Sequence, residues 1–408
     1  MSLAAYSESF ERFAAGLPEP NQAARRAQFK RFLDAGFPTP RIEAWHYTDL
    51  ASLTGRRFAA AAGPARAYQA DLLADADHLV YVNGQLDRAR STAAELHADT
   101  LPELPGGDGV TALNSAFSSG GLHLQLGRGQ SRARPLQVSL AGVAGDVPAM
   151  VHQRHRIELG DHAEATVVFQ FAGQGGDRLG THVIEVSLAH GARLTLYRVQ
   201  DEQAEATLLT RIDARLDRDS FLRSVVVDCG GGLVRHDFNI TLAAPGAEVS
   251  LAGLYQPAPG AHLDNQTRIV HAAAHCRSRE RFKGIIDARA KAIFVGKVVV
   301  QPGAQKTDSE QHVANLLLSK KAEVNAKPEL EIYADDVKCA HGATVGQLDD
   351  VALEYLRSRG IAAAAARAML LRAFGSEVLE GIALPALRQQ LAARMGLGAE
   401  DAYPEIEA

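Results

Sequence analysis

Apolar side chains recur in pairs two positions apart through the middle of the chain. Ile157 and Leu159 are followed by Ala165 and Val167, and Val186 and Leu188 lead, across His190-Gly191, to Leu194 and Leu196. Ala214 and Leu216 lead to Leu222 and the run Val225-Val226-Val227, and Ile240 and Leu242 lead, across Pro245-Gly246, to Val249 and Leu251. The first pairs start 29, 28 and 26 residues apart by subtraction, and Val298 with Val300, before Pro302-Gly303, falls two further units on. Period-two alternation marks a strand with one buried face. Short strands joined by glycine turns do not each close a core, but stacked coils bury a continuous one, which predicts a β-solenoid or β-helix over 151–346. An antiparallel sandwich of evenly spaced hairpins is the alternative for the same pattern.

The two ends of the chain read as helix. Phe10 and Phe13, then Phe29, Phe32 and Leu33, suit two short amphipathic helices separated by Leu17-Pro18-Glu19-Pro20. Gly36-Phe37-Pro38-Thr39-Pro40 stops the second, because proline removes a donor and turns its predecessor away from the α region. A loop with Glu43, Trp45, His46 and Tyr47 completes an N-terminal helical segment, 1–50. Residues 51–150 form a mixed region with short strands such as His78 to Val82. Past Gly346, Asp349 or Asp350 caps a helix with Leu353 and Leu356 inward, and Gly360 ends it. A second helix, from about Ala362 to Leu379, carries Leu370, Phe374 and Val378 on one face. A third opens at Pro385, which makes 347–408 a compact helical domain suited to docking.

Composition narrows this picture without redirecting it. At about 150 residues per domain, 408 residues allow two or three domains, and 46% hydrophobic with 22% charged residues is ordinary for a folded chain. Forty-three Lys and Arg against 48 Asp and Glu leave a net charge of −5, so no global basic field exists to hold a nucleic acid. Cys229, Cys276 and Cys339 form no CxxC pair, which argues against a zinc ribbon or a ferredoxin-type cluster held by this chain alone. The segment from Met1 to Phe10 lacks the basic and apolar regions of a signal peptide, and the apolar stretch from Ile361 to Leu371 is short and broken by Arg367. A cytoplasmic protein with no membrane part is the expectation.

No Walker A, G-x-S-x-G or H-E-x-x-H sequence occurs, so ATP hydrolysis and the commonest hydrolase chemistries are not expected here. The block from Asp335 to Gly346 stands out. If Lys338 to His341 is extended, Cys339 and His341 project on one face, where thiolate and imidazole suit iron or another soft metal. Two ligands do not close a site, and the remainder would come from another chain. A buried cysteine and a hydrogen-bonded histidine at a domain junction is the plainer alternative. His271, His275 and Cys276 offer three more donors, but the following Arg277, Arg279 and Arg281 favour a solvated face with local salt bridges. Trp45 and Tyr47 read as packing anchors.

These residues carry a resemblance to the SufB/SufD family of iron-sulfur cluster assembly scaffolds, and within it to the SufD branch. It runs through Phe282-Lys283-Gly284, Thr307-Asp308-Ser309-Glu310-Gln311, Asn315-Leu316-Leu317-Leu318-Ser319 and Lys327-Pro328-Glu329-Leu330-Glu331-Ile332. It continues through the block from Asp335 to Gly346 and Tyr355-Leu356-Arg357-Ser358-Arg359-Gly360. The segment from Pro38 to Thr48 resembles the SufD signature near the N-terminus, with Ile42 and His46 departing from its usual pattern. The resemblance implies a mainly β fold: a central right-handed parallel β-helix flanked by N-terminal and C-terminal helical regions. It implies pairing with a SufB-like subunit through the β-helix and a SufC-like ABC ATPase docked on the C-terminal helices, with nucleotide chemistry on that partner. His341 maps onto the histidine proposed in the family to help hold a nascent cluster, and Cys339 is its neighbour in the same block. The cluster is expected as a transient passenger at the subunit interface, completed by SufB. Reduced FAD is considered only for the whole complex.

Leu353, Tyr355, Leu356, Phe374 and Val378 are the candidate SufC-docking residues. A homodimer is expected for the isolated chain, because an exposed β-helix edge pairs readily. Two other functions stay open on the residues: a homo-oligomeric binding module without cluster chemistry, and a β-helix carbohydrate-active enzyme. For the latter, Asp237, Asp264 and Arg268 are available but keep no register with the repeat.

Overall fold

Strand Ala149–Leu159 is followed at each coil by an equivalent strand: Arg178–Leu188, Ala206–Leu216, Leu233–Leu242, His262–His271, Lys291–Val300 and Glu323–Ile332. These pair side by side in parallel, so Ile157 lies beside Val186, and then Ala214, Ile240, Ile269, Val298 and Leu330 continue the row. Ile269 is the unit that the spacing skipped. The intervening strands, from Leu136–Val143 to Lys338–Gly346, form a second sheet in the same manner. The computed structural model describes residues 3–60, 72–102, 106–143 and 147–398. The result is a two-sheet parallel β-solenoid of about 8 turns. Successive strands alternate between sheets and pair in parallel with the strand two on, which excludes the antiparallel sandwich.

The coils begin earlier than residue 151. Gly121–Leu126 pairs in parallel with Ala149–Leu159, and Asp77–Val82 pairs with Leu136–Val143, so much of the mixed region already belongs to the solenoid. Its pattern was illegible because these first strands are separated by a helix and long connections rather than by glycine turns.

Helices α1 (Ala4–Ala15), α2 (Glu19–Ala35), the short α3 (Ala51–Thr54) and α4 (Gly109–Phe117) pack on the outer face of the first sheet, against Met150, Leu179 and Leu209. Their shared core is aromatic: Phe10 stacks on Phe29 at 4.1 Å, and Phe117 stands edge-on to Phe10 at 5.4 Å. Gly36 ends α2 at φ 66°, a conformation open to glycine. After the last strand, α5 (Asp350–Ser358) is capped by Asp349, whose carboxylate accepts from the amides of Val351 and Ala352. Helices α6 (Ala363–Leu379) and α7 (Pro385–Arg394) follow. Val378 and Leu379 pack onto Val225 and Val227 of the second sheet, while Val226 faces the solenoid interior. That strand is buried on both faces, which explains its unbroken valine run.

The interior is not wholly apolar. Arg198, Asp228 and His236 are fully buried between the sheets, with Arg198 Nη2 donating to Asp228 at 3.1 and 3.2 Å. Near the first coils His152, His155 and His182 are buried as well, and His155 stacks on His182 at 5.9 Å. Burial pushes the His152 and His155 imidazoles down from 6.5 to about 3, and pushes His182 well below 6.5. They are therefore neutral in the fold and free to take protons once unfolded. Between about pH 6.5 and 3 the unfolded chain binds more protons, so stability rises with pH across that window. Their contribution is complete above pH ~6.5 and is lost as pH falls toward 3. Thermal midpoints measured from pH 7 to pH 4 are expected to fall, and to fall less steeply in a His152→Asn variant. An equal slope in both proteins would contradict this account.

Candidate functional site

Every solenoid must stop, and here the final coil is left without a following one. Strand Lys338–Gly346 pairs with Asp308–Leu317 on one side and lies at the end of its sheet, as Glu323–Ile332 does in the other sheet. The register sets Cys339 beside Ser309 and His341 beside Gln311. One coil deeper, Ser278 lies beside Ser309 and Glu280 beside Gln311. Ser278, Glu280, Ser309 and Gln311 are all buried, whereas Cys339 is half-buried and His341 exposed, because nothing among the described residues stacks beyond them. Cys339 packs against the interior core. His341, two residues on, shares that face, so both donors cap polar columns that run back into the solenoid.

The columns are chemically distinctive. Gln311 Nε2 donates to Glu280 Oε2, and Gly296 leaves the room: a Cβ there would sit 2.2 Å from that amide nitrogen. Burial pushes the Glu280 carboxyl up, and the hydrogen bond from Gln311 opposes it only in part. Glu280 and Gln311 were not among the residues singled out from sequence. Their signal was present: in Arg277-Ser278-Arg279-Glu280-Arg281-Phe282 the arginines alternate with residues that must face inward. Burial also raises the pKa of the Cys339 thiol, and the nearby Asp308 charge adds to this. Cys339 is thus a thiol at neutral pH, and a nearby positive charge would be needed to favour its thiolate.

The other donors are placed elsewhere. His271 and Cys276 are fully buried, which corrects the solvated-face reading: His271 Nε2 lies 2.8 Å from Ser278 Oγ, and Cys276 Sγ lies 3.3 Å from the Ala244 carbonyl. Only His275 of that trio is exposed. The arginines behind them do form local ion pairs, Arg277 with Glu248, Arg279 with Asp308 and Arg281 with Glu377. Among the described residues, no three His, Cys, Asp or Glu side chains are grouped so as to hold a metal ion. Asp264 is fully buried in an ion pair with Arg235, which also holds Asp237, so these two acids do not form an open catalytic pair.

The docking candidates divide. No residue of α5 is buried: Leu353 and Leu356 are half-buried, Tyr355 is 57% exposed and Val351 79% exposed. Phe374 is half-buried beneath the Lys283 ammonium, 4.8 Å from its ring. Val378 is 1% exposed. It belongs to the junction between α6 and the solenoid, which corrects its place among the docking residues: the same helical face that looked available in sequence is the one the solenoid covers.

Comparison with known proteins agrees with this geometry. Residues 141–374 match the family model described as "SUF system FeS cluster assembly, SufBD core domain". The chain is 34% identical over 398 residues to the iron-sulfur cluster assembly protein SufD of Escherichia coli (strain K12), covering 94% of each chain. It is 32% identical over 289 residues to an iron-sulfur cluster assembly SufBD family protein of Mycobacterium leprae (strain TN), covering 68% of this chain and 72% of the relative. The SufD protein of Bacillus subtilis (strain 168) is 27% identical over 311 residues, 74% of this chain and 70% of its own. With the parallel solenoid, the flanking helices and the Cys339–His341 block in place, the chain belongs to the SufB/SufD family of the SUF iron-sulfur cluster assembly system, on its SufD branch.

Proposed function

We propose that this assembly subunit is a non-catalytic scaffold that pairs with a SufB-like subunit through the open end of its solenoid and carries a SufC-like ATPase on α5. The nascent cluster is its cargo, held transiently where His341 and Cys339 meet donors of the SufB-like partner. The observation that carries this reading is the state of the last strand. Edge strands are normally blunted by charge or proline. Strand Glu323–Ile332 follows that rule, with Pro328 and alternating charges, but Lys338–Gly346 presents Ala340, Gly342, Thr344 and Gly346 after its single lysine. Around it Ile332, Tyr333 and Val345 are 42%, 61% and 52% exposed. An unprotected strand with apolar neighbours and two metal-compatible donors supports strand-to-strand pairing with a second solenoid.

Helix α5 supports the second contact, since Val351 and Tyr355 are exposed while Leu353 and Leu356 are half-buried toward the rest of the domain. This reading puts ATP hydrolysis on the SufC-like partner, and the lack of a Walker A sequence in this chain fits it. Among the described residues no helix is long and apolar enough to cross a membrane, and the reading places the assembly in the cytoplasm.

The test is co-expression with the SufB-like and SufC-like subunits of the same source, followed by size-exclusion chromatography with light scattering. A stable complex of all three is expected, and the isolated chain should run as a homodimer through the same end. Elution of this chain alone, while the other two associate without it, would overturn the proposal.

A further inference from the structure

The segment from Pro40 to Thr48 lies outside the strand and helices invoked above, and it is firmly built onto the solenoid. Trp45 Nε1 donates to Asp108 at 3.1 Å, and its ring lies 3.9 Å from the guanidinium carbon of Arg235. Thr48 Oγ1 donates to Asp264 and lies 2.8 Å from His262 Nε2. With Trp45 and Thr48 as anchors, Arg41, His46 and Tyr47 overhang the outer face of the first sheet and enclose a cleft of about 610 Å³. That is the size of a small-molecule site, and its walls are held in place before any ligand arrives.

The charges of the cleft are unevenly neutralised. The register aligns Arg268, Lys297 and Glu329 in one row of the floor, beside Gln266, Val295 and Lys327 in the next. Arg235 pairs with Asp237 and Asp264, Lys297 with Glu331, and Lys327 with Glu329. Glu43 directs its field at Lys297 and Lys327. Arg41 and Arg268 are exposed at the cleft and have no ion pair or hydrogen bond among the described residues. Two unengaged guanidinium groups therefore open onto one cavity of a chain whose net charge is −5. The remaining wall is flat and partly apolar: Pro40, Val295 and the half-buried Tyr47, which stands edge-on to His46 at 4.8 Å.

We propose that this cleft binds a small organic anion with a planar body, its ring against Tyr47 and Val295 and its phosphate or carboxylate held by Arg41 and Arg268. Guanidinium forks match both headgroups bidentately. Lys327 and Glu329 of the floor belong to the last strand of the first sheet, so the cleft reaches toward the open end, but its lining includes no residue of the strand that carries Cys339 and His341.

Trp45 is the chain's single tryptophan and lies against Arg235, which lines the cleft, so its fluorescence is read beside calorimetry as a signal of occupancy. The full chain is titrated with adenosine monophosphate, with phthalate and with inorganic phosphate. Saturable quenching or enhancement is expected with at least one of the two ring-bearing anions, and which one responds identifies the headgroup. Arg268→Gln and Arg41→Gln should each weaken that binding about tenfold or more, the scale of one charge-assisted hydrogen bond. Both side chains are exposed, so circular dichroism should be unchanged. Inorganic phosphate binding as tightly as the ring-bearing probes would overturn the planar part of the proposal. No saturable response to either ring-bearing probe up to about 10 mM, with calorimetry agreeing, would overturn it altogether, as would binding indifferent to both substitutions.

Discussion

Replacing Asp228 by alanine is expected to destabilise the protein by about 3–5 kcal/mol, the usual cost of leaving a buried charge without its partner. Arg198 and Asp228 are 0% and 1% exposed at their side chains, in the middle of the solenoid. Burial alone would push the Asp228 carboxyl up, but Arg198 and His236 outweigh it and hold it below its ordinary range. His236 Nε2 approaches Asp228 Oδ1 at 3.2 Å, and Thr210 Oγ1 lies 2.6 Å from His236 Nδ1, so the carboxylate organises a chain that crosses from one sheet to the other. Removing it strands the Arg198 guanidinium in an apolar interior and frees the imidazole. Asp228→Asn keeps the volume and loses the charge, and should cost nearly as much. A double substitution, Arg198→Met with Asp228→Leu, removes both charges and should recover most of the loss. Denaturant unfolding of the three variants checks this. A midpoint for Asp228→Ala within about 0.5 kcal/mol of the parent would show that the pair contributes nothing.

The second large effect is on cluster formation rather than on stability. His341 is exposed on the final strand and makes no side-chain hydrogen bond or ion pair among the described residues, so His341→Ala should leave the thermal midpoint and complex formation unchanged. If the imidazole holds cargo at the open end, anaerobic reconstitution of the three-subunit complex should lose on the order of 10–100-fold in cluster formation, followed by its visible absorbance. Cys339→Ser should have a smaller effect, because its thiol is half-buried and kept protonated. Parent-level cluster formation by an intact His341→Ala complex would remove the role.

The two sites lie in different rows of the solenoid: the row of His341 runs back through Gln311 and Glu280 to Leu251, and that of Asp228 runs forward through Tyr255 and Gly284 to Asn315. The pair at Arg198 and Asp228 lies several coils below the open end, and the solenoid transmits its loss only through neighbouring coils. Unfolding of Asp228→Ala is accordingly expected to begin in the middle of the chain. The N-terminal helices share an apolar cluster with the outer face of the first sheet, and the C-terminal helices share one with the outer face of the second.

Residues that declare themselves locally were legible. The pairs at Ile157 and Leu159, Val186 and Leu188, and Ile240 and Leu242 named their strands, their buried face and their repeat, because alternation is a property of a few consecutive residues. The same reasoning placed Cys339 and His341 on one face, and Gly36, Asp349 and Pro385 at helix ends. It failed where burial depended on distant partners. His271 and Cys276 lie near three arginines, which suggested solvent, but His271 at the end of one strand and Cys276 in the connection to the next are both turned into the interior. Val378 lies on an apolar helical face, and sequence could not say whether the solenoid or another subunit would cover it.

Sequence by itself determined that this chain winds into a solenoid with helical ends and carries two soft-metal donors on its last strand, since period, turns and helix caps are written within short windows. Tertiary structure alone decided what lies behind and beside those donors. Coils of unequal length set Glu280 and Gln311 beneath His341, carried Arg198 to Asp228 and His236, and brought Arg41 to a cleft with Arg268. Each of these meetings depends on register between coils, a sum of every intervening turn and bulge, which no local pattern contains.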